Sequence, residues 1–265
     1  MGQQLAYCTN VHAGADLDQT VANLQEHALS VKRRFAGQGT MGIGLWLAAP
    51  AARKLLAENR AEWLAAWLRD VGLLPFTLNG FPYGDFHQPV VKHRVYEPTW
   101  MQQERVAYTM DLVEILHRLL PDGQEGSIST LPIAWGHPRP DSEQLRSAAA
   151  NLLRVADQLA RLEDTTGRLI YLCLEPEPGC VLQRSDDVAD FFQNHLMANQ
   201  RSEGAMRYLR VCHDICHAAV MFEEQRDVFT RYSQAGIQVG KVQVSSARRV
   251  DFQQHDGDSR AQALR

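Results

Sequence analysis

The chain is predicted to fold as an α/β barrel of the TIM (β/α)8 type, and three observations predict it. Short apolar runs alternate with longer amphipathic stretches seven times along the 265 residues, a pattern that implies parallel strands joined by helical crossovers. No GxGxxG follows the first strand-like run and no Walker A sequence occurs, so the markers of an open nucleotide-binding sheet are missing. Polar residues instead follow the C-terminal ends of several different runs: His12, Asn79, Glu175, Asp214 and Gln243. A barrel active site is assembled in that way, from many βα loops at one rim.

The elements follow in order. Leu5–Thr9 reads as a strand, and Leu17, Val21, Leu24, Ala28 and Val31 give helical spacing to Asp18–Arg34. Gly42–Leu47 is a second strand. Pro50 suits a helix start, and Ala51–Asp70 reads as one helix, stopped by Gly72. Phe76–Asn79 is the third strand, followed by a long loop, Gly80–Pro98, and a helix over Thr99–Leu120. Ser127–Ile133 is the fourth strand and Asp141–Glu163 the next helix, with Gly167 behind it. Leu169–Leu174 is the fifth strand, and Ser185 is placed to cap a helix over Asp186–Ala198. Tyr208–Cys212, a helix over Glu223–Ala235 and a strand over Ile237–Val244 complete seven units; no eighth strand is found. Residues 1–250 therefore read as one barrel domain, and 251–265 as a polar, poorly ordered tail.

Composition narrows the function. A net charge of −4 disfavours nucleic acid, whose phosphates call for a basic excess. The N-terminus has no basic and apolar leader, and no run is long and apolar enough to span a bilayer. The five cysteines, an odd number, suit reduced thiols in the cytoplasm. A small-molecule partner is expected, and homo-oligomerisation is left open.

Four segments can carry chemistry. In Arg210–Ala218, Asp214 and His217 put a carboxylate at a strand end and an imidazole one turn later, a pair suited to a divalent ion. The bland alternative is a helix cap and a satisfied core histidine. In Leu172–Gly179, Glu175 ends an apolar strand, where a carboxylate needs a partner or a metal, and Pro176 and Pro178 stiffen the loop that carries Glu177. Those glutamates are alternatively solvated loop residues. In Val239–Ala247, strand alternation sets Lys241 and Gln243 on one face, opposite Val242 and Val244. If the valines pack on helices, Lys241 points inward to balance a carboxylate or hold an anionic group; otherwise it snorkels out. In the long loop, Asn79, Tyr83 and His87 offer ring faces and donors that suit a polyol, unless the loop is simply pinned by its own aromatics.

Taken together, these segments resemble the xylose-isomerase-like TIM barrel superfamily of sugar phosphate isomerases, epimerases and endonuclease-IV-type enzymes. There a Glu ends the fifth strand and Asp-x-x-His follows the sixth, which here are Glu175, Asp214 and His217. Leu78–Gln88, Ser129–Trp135, Leu174–Cys180, Val211–Glu223 and Gly240–Ala247 are further similar to EboE-like metabolite traffic proteins, over nearly the whole chain. The resemblance implies a divalent metal (Mn, Zn, Mg or Co) held by Glu175, Asp214, His217 and Gln243. Glu175 serves as base with Glu177 as the second candidate, and His217, Lys241, Asn79, Tyr83, His87 and His12 face a polyol, sugar or sugar phosphate. Two departures stand out. Gln243 occupies the seventh-strand position where the superfamily usually has histidine, and the closing glutamate of an eighth strand is absent, so the chain reads as C-terminally short. Three activities follow as expectations: a metal-dependent isomerase or epimerase in a secondary-metabolite pathway, a non-catalytic binding or traffic protein using the same pocket, and, least favoured, a phosphodiesterase.

Overall fold

The computed structural model describes residues 4–88, 91–198 and 204–246. Seven strands form one parallel sheet in sequence order: β1 Ala6–Cys8, β2 Met41–Trp46, β3 Leu73–Asn79, β4 Gly126–Thr130, β5 Ile170–Leu174, β6 Leu209–Asp214 and β7 Val239–Gln243. The sheet curls into an open barrel. Lys241 on β7 reaches the Leu78 carbonyl of β3 and the Ser129 hydroxyl of β4, both at 3.2 Å. No ladder joins β1 to β7 among the described residues. The tail expected over 251–265 lies outside them.

Helices cover the outside. Leu17–Asn23 (α1) runs through a π turn, Leu24–Ala28, into Leu29–Phe35 (α2). The helix expected over Ala51–Asp70 is two, Ala49–Ala57 (α3) and Ala61–Asp70 (α4). Asn59 breaks it by taking the left-handed conformation, φ 51°, which asparagine tolerates better than most residues. Gln103–Leu119 (α5) and Ser142–Thr166 (α6) follow, and α6 opens with an Asp141–Gln144 capping box and ends on Gly167 at φ 70°. Ser185 is not a cap. It is the first residue of Ser185–Phe191 (α7), and its amide instead donates to the Glu223 carboxylate at 3.1 Å. A short helix missing from the sequence reading, Ile215–Val220 (α8), comes directly after β6, and Gln225–Gln234 (α9) precedes β7.

Apolar side chains such as Ile43, Leu45, Leu78, Ile128, Leu172 and Leu174 are fully or almost fully buried. The interior of the curl is more polar: Ser127 donates to Thr77 at 2.8 Å, and Ser129 to Asn79 at 3.4 Å. Register shifts at Val211/Cys212, so that Gly240 has no partner and β7 bulges. A Cβ on Gly240 would lie 2.7 Å from the Tyr171 ring and 2.8 Å from Cys173 Sγ, which is why glycine stands there. Beyond the bulge Lys241 turns inward and Val242 and Val244 outward. The valines do not pack on helices, as they are 44% and 78% exposed.

Candidate metal centre

Glu175, Asp214 and His217 each bring one donor atom to within 4.8 Å of the others. The fold places all three. The Glu175 amide donates to the Thr130 carbonyl at 2.9 Å, carrying the β4–β5 ladder one residue beyond β5 and fixing the glutamate at the strand end. Asp214 is both the last residue of β6 and the N-cap of α8, its Oδ1 accepting the His217 amide at 3.0 Å. The capping alternative and the ligand arrangement therefore hold together: one carboxylate oxygen caps the helix and the other stays free. The cap also sets the helical turn that swings His217 back over the strand ends.

His217 Nδ1 lies 2.9 Å from the Pro176 carbonyl. A carbonyl only accepts, so Nδ1 donates to it and Nε2 is the nitrogen left to meet a metal. Glu175 is buried, and its Oε2 has no hydrogen-bond partner among the described residues. Burial pushes its pKa up, Asp214 and Glu177 add to the rise, and Lys241 and His217 oppose it. Glu177 behaves alike. Its Oε2 is also buried and without a hydrogen-bond partner among the described residues, and burial raises its pKa while His217 and Tyr96 oppose the rise. Such orphaned carboxylate oxygens are costly in a protein interior unless a cation meets them. Two carboxylates and an imidazole are a donor set that fits a divalent ion, so the residues present suit the metal that the sequence suggested.

The other expected residues divide into groups. Gln243 pairs with Asp214 across the β6–β7 ladder, and its Oε1 lies 4.0 Å from Cys8 Sγ on the far side of the sheet opening. Lys241 is fixed inside the curl by its two bonds to β3 and β4. His12 gathers at the β1 end: Tyr7 Oη lies 2.7 Å from its Nε2, and its ring stacks on His27 at 3.9 Å. Burial, then His27, lowers its pKa. His87 leans on Phe86 at 4.1 Å and on Trp46 at 5.6 Å. Asn79 is buried, its Oδ1 accepting the Phe81 amide at 3.2 Å and the Ser129 hydroxyl, which turns the chain out of β3. Tyr83 bonds Arg53 at 2.6 Å and packs edge-on to Tyr108. It lines a cleft of about 210 Å³ between the two arms of the long loop, a cleft to which none of Glu175, Asp214 and His217 contributes.

Residues that the sequence did not single out also reach the site. Ser245 donates to Asp214 Oδ1 at 2.6 Å. Tyr96, which opposes the rise in the Glu177 pKa, stacks on Trp135 at 5.1 Å, and Trp135 in turn meets His93 at 4.2 Å. These contacts join segments far apart in the chain, and no local pattern signals them.

No family model matches the chain, and no curated protein matches it. Solved structures do. The chain is similar to a xylose isomerase-like TIM barrel protein from Mycobacterium smegmatis in complex with magnesium, with TM-score 0.56 and 14% identity over 88% of this chain and 71% of that one. It is similar to an L-ribulose 3-epimerase, with TM-score 0.54 and 15% identity over 90% and 68%. A family 2 AP endonuclease from Brucella melitensis matches with TM-score 0.51 and 14% identity over 89% and 81%. At these identities the likeness establishes the fold alone: a TIM-type (β/α) barrel, of which seven strands lie among the described residues.

Proposed function

We propose that the chain is a metal-dependent isomerase or epimerase acting on a small polyol, sugar or sugar phosphate. The observation that carries this reading is the convergence of Glu175, Asp214 and His217 beside two buried glutamate oxygens that have no hydrogen-bond partner among the described residues. Glu175, the free oxygen of Asp214, and His217 Nε2 would hold the ion, with Gln243 as fourth ligand from the neighbouring strand. Mn, Mg, Zn and Co all accept such donors. When bound, the metal polarises adjacent oxygens of a hydroxyketone and acidifies the C–H between them.

The protein's own residues then handle the proton. The sequence points to Glu175 as base with Glu177 second; with Glu175 in the ligand cluster and Glu177 beside it but outside, we give the order as Glu177 first, taking the proton from carbon and returning it, and Glu175 second. Lys241 has three N–H donors, two of them committed to Leu78 and Ser129, and offers the third to a substrate oxygen. His12 and His87 supply polar groups at the β1–β2 side. The segments similar to EboE-like proteins support a narrower setting, a secondary-metabolite pathway.

Metal content and exchange of solvent deuterium into candidate ketoses and cyclitols test this. Glu177→Gln is expected to lower exchange by about 10²–10⁴-fold while leaving metal bound, and Glu175→Gln to lose the metal. A chain that takes up none of the four metals and exchanges no deuterium would sink the proposal. The Gln243 carboxamide in a ligand position favours a second reading, a binding protein that holds the metabolite without turnover. Thermal stabilisation by a polyol with no exchange would select it.

A further inference from the structure

Ser245 lies two residues beyond β7 and is half-buried. Its Oγ accepts the Cys216 amide at 3.0 Å and lies 2.6 Å from Asp214 Oδ1. An amide nitrogen only donates and a carboxylate only accepts, so the hydroxyl proton points at Asp214. Asp214 Oδ1 thereby receives two donors, this hydroxyl and the His217 amide at 3.0 Å. Two bonds to one oxygen stop the carboxylate from turning about its own axis. Oδ2 takes no hydrogen bond among the described residues and is the oxygen left to serve a ligand cluster with Glu175 and His217.

We propose that Ser245 is a positioning residue: its hydroxyl selects Asp214 Oδ2 as the ligand oxygen and ties edge strand β7 to the candidate metal centre. The inference rests on the metal-centre reading above. Among the described residues β7 has a ladder on one side only, so no described strand beyond it holds the strand that carries Gln243 in register. The Ser245–Asp214 bond and the Ser245–Cys216 bond join the end of that strand to the end of β6 and the first turn of α8. One side chain therefore links the position of Gln243 to that of Asp214 and His217 without touching the ion.

The test is Mn²⁺ titration by calorimetry of the full chain and of Ser245→Ala and Ser245→Thr, with backbone amide NMR of the metal-free proteins. Ser245→Ala removes the hydroxyl and is expected to weaken Mn²⁺ binding by roughly 10- to 100-fold, the range for partners that orient metal ligands. Ser245→Thr keeps the hydroxyl and is expected to stay within about threefold of the parent. The Cys216 and His217 amide resonances should move in the alanine variant and hold in the threonine variant. Parent-like Mn²⁺ affinity in Ser245→Ala overturns the proposal alone, as does equal weakening in both variants. A parent that binds none of Mn²⁺, Mg²⁺, Zn²⁺ and Co²⁺ in the same titration overturns the metal-centre reading, and the role of Ser245 with it; if another of the four binds in place of Mn²⁺, the same comparison is read with that ion.

Discussion

Arg105 is wholly buried, and it holds both ends of the long rim loop. Its Nε donates to the Pro98 carbonyl at 2.8 Å, and its Nη1 to those of Gly80 and Phe81 at 2.9 and 3.0 Å. Burial draws its pKa down to about 10, with nearby tyrosines opposing the fall, so it remains charged at neutral pH. The Tyr108 and Tyr83 rings lie 5.7 and 5.9 Å from the guanidinium carbon, within cation–π reach. Arg105→Met would strand three carbonyls in the interior. The expected loss is on the order of 3 kcal/mol in urea unfolding, with faster proteolysis of the loop; an unchanged midpoint would mean that water replaces the guanidinium. In the sequence this arginine is one polar residue of an amphipathic helix, where a solvated face is the ordinary reading. Only the loop packed over α5 makes it a clamp. Glu175 is the opposite case: an acid at the end of five apolar residues must find a partner wherever the strand goes, and that is legible from composition alone.

At the scale of elements, local signals worked where they were self-contained. α6 has its capping box, its apolar stripe and its αL glycine within one segment, and it forms where expected, three residues longer at the C-terminal end. Asp141→Ala removes the oxygen that accepts the Glu143 and Gln144 amides at 2.9 and 2.8 Å. The expected cost is about 1 kcal/mol, read as a melting shift of roughly 2–4 °C. α8 was missed because its six residues carry no period of their own; it exists because Asp214 caps it and Ser245 meets its first turn. The β7 bulge was likewise invisible, since Gly240 is demanded by Tyr171 and Cys173 on another strand.

At the scale of the whole molecule, the sheet stops at β1 and β7 among the described residues, and Val242 of β7 and Val244 just after it are exposed. Nearby, Phe229 is 40% exposed, and His213, opposite Val242 in the ladder, packs against its ring at 4.8 Å. An exposed parallel edge with apolar side chains favours association between chains. Replacing Val242 and Val244 together by lysine is expected to lower light scattering as the protein is concentrated, with Mn²⁺ affinity unchanged. Scattering that stays the same would clear this face of any part in association.

The sequence by itself determined the βα alternation, the parallel sheet, and the presence of Glu175, Asp214 and His217 at strand ends. Period, strand length and a carboxylate closing an apolar run are properties of contiguous residues. Tertiary structure alone decided which oxygen of Asp214 takes the two hydrogen bonds, which nitrogen of His217 faces a carbonyl, and which partners Asn79 and Tyr83 bond. It also decided that Lys241 crosses the curl to β3 and β4. Each of those outcomes depends on a hydrogen-bond partner dozens of residues away or on a neighbouring element, and a polar atom's role is set by the partner that satisfies it.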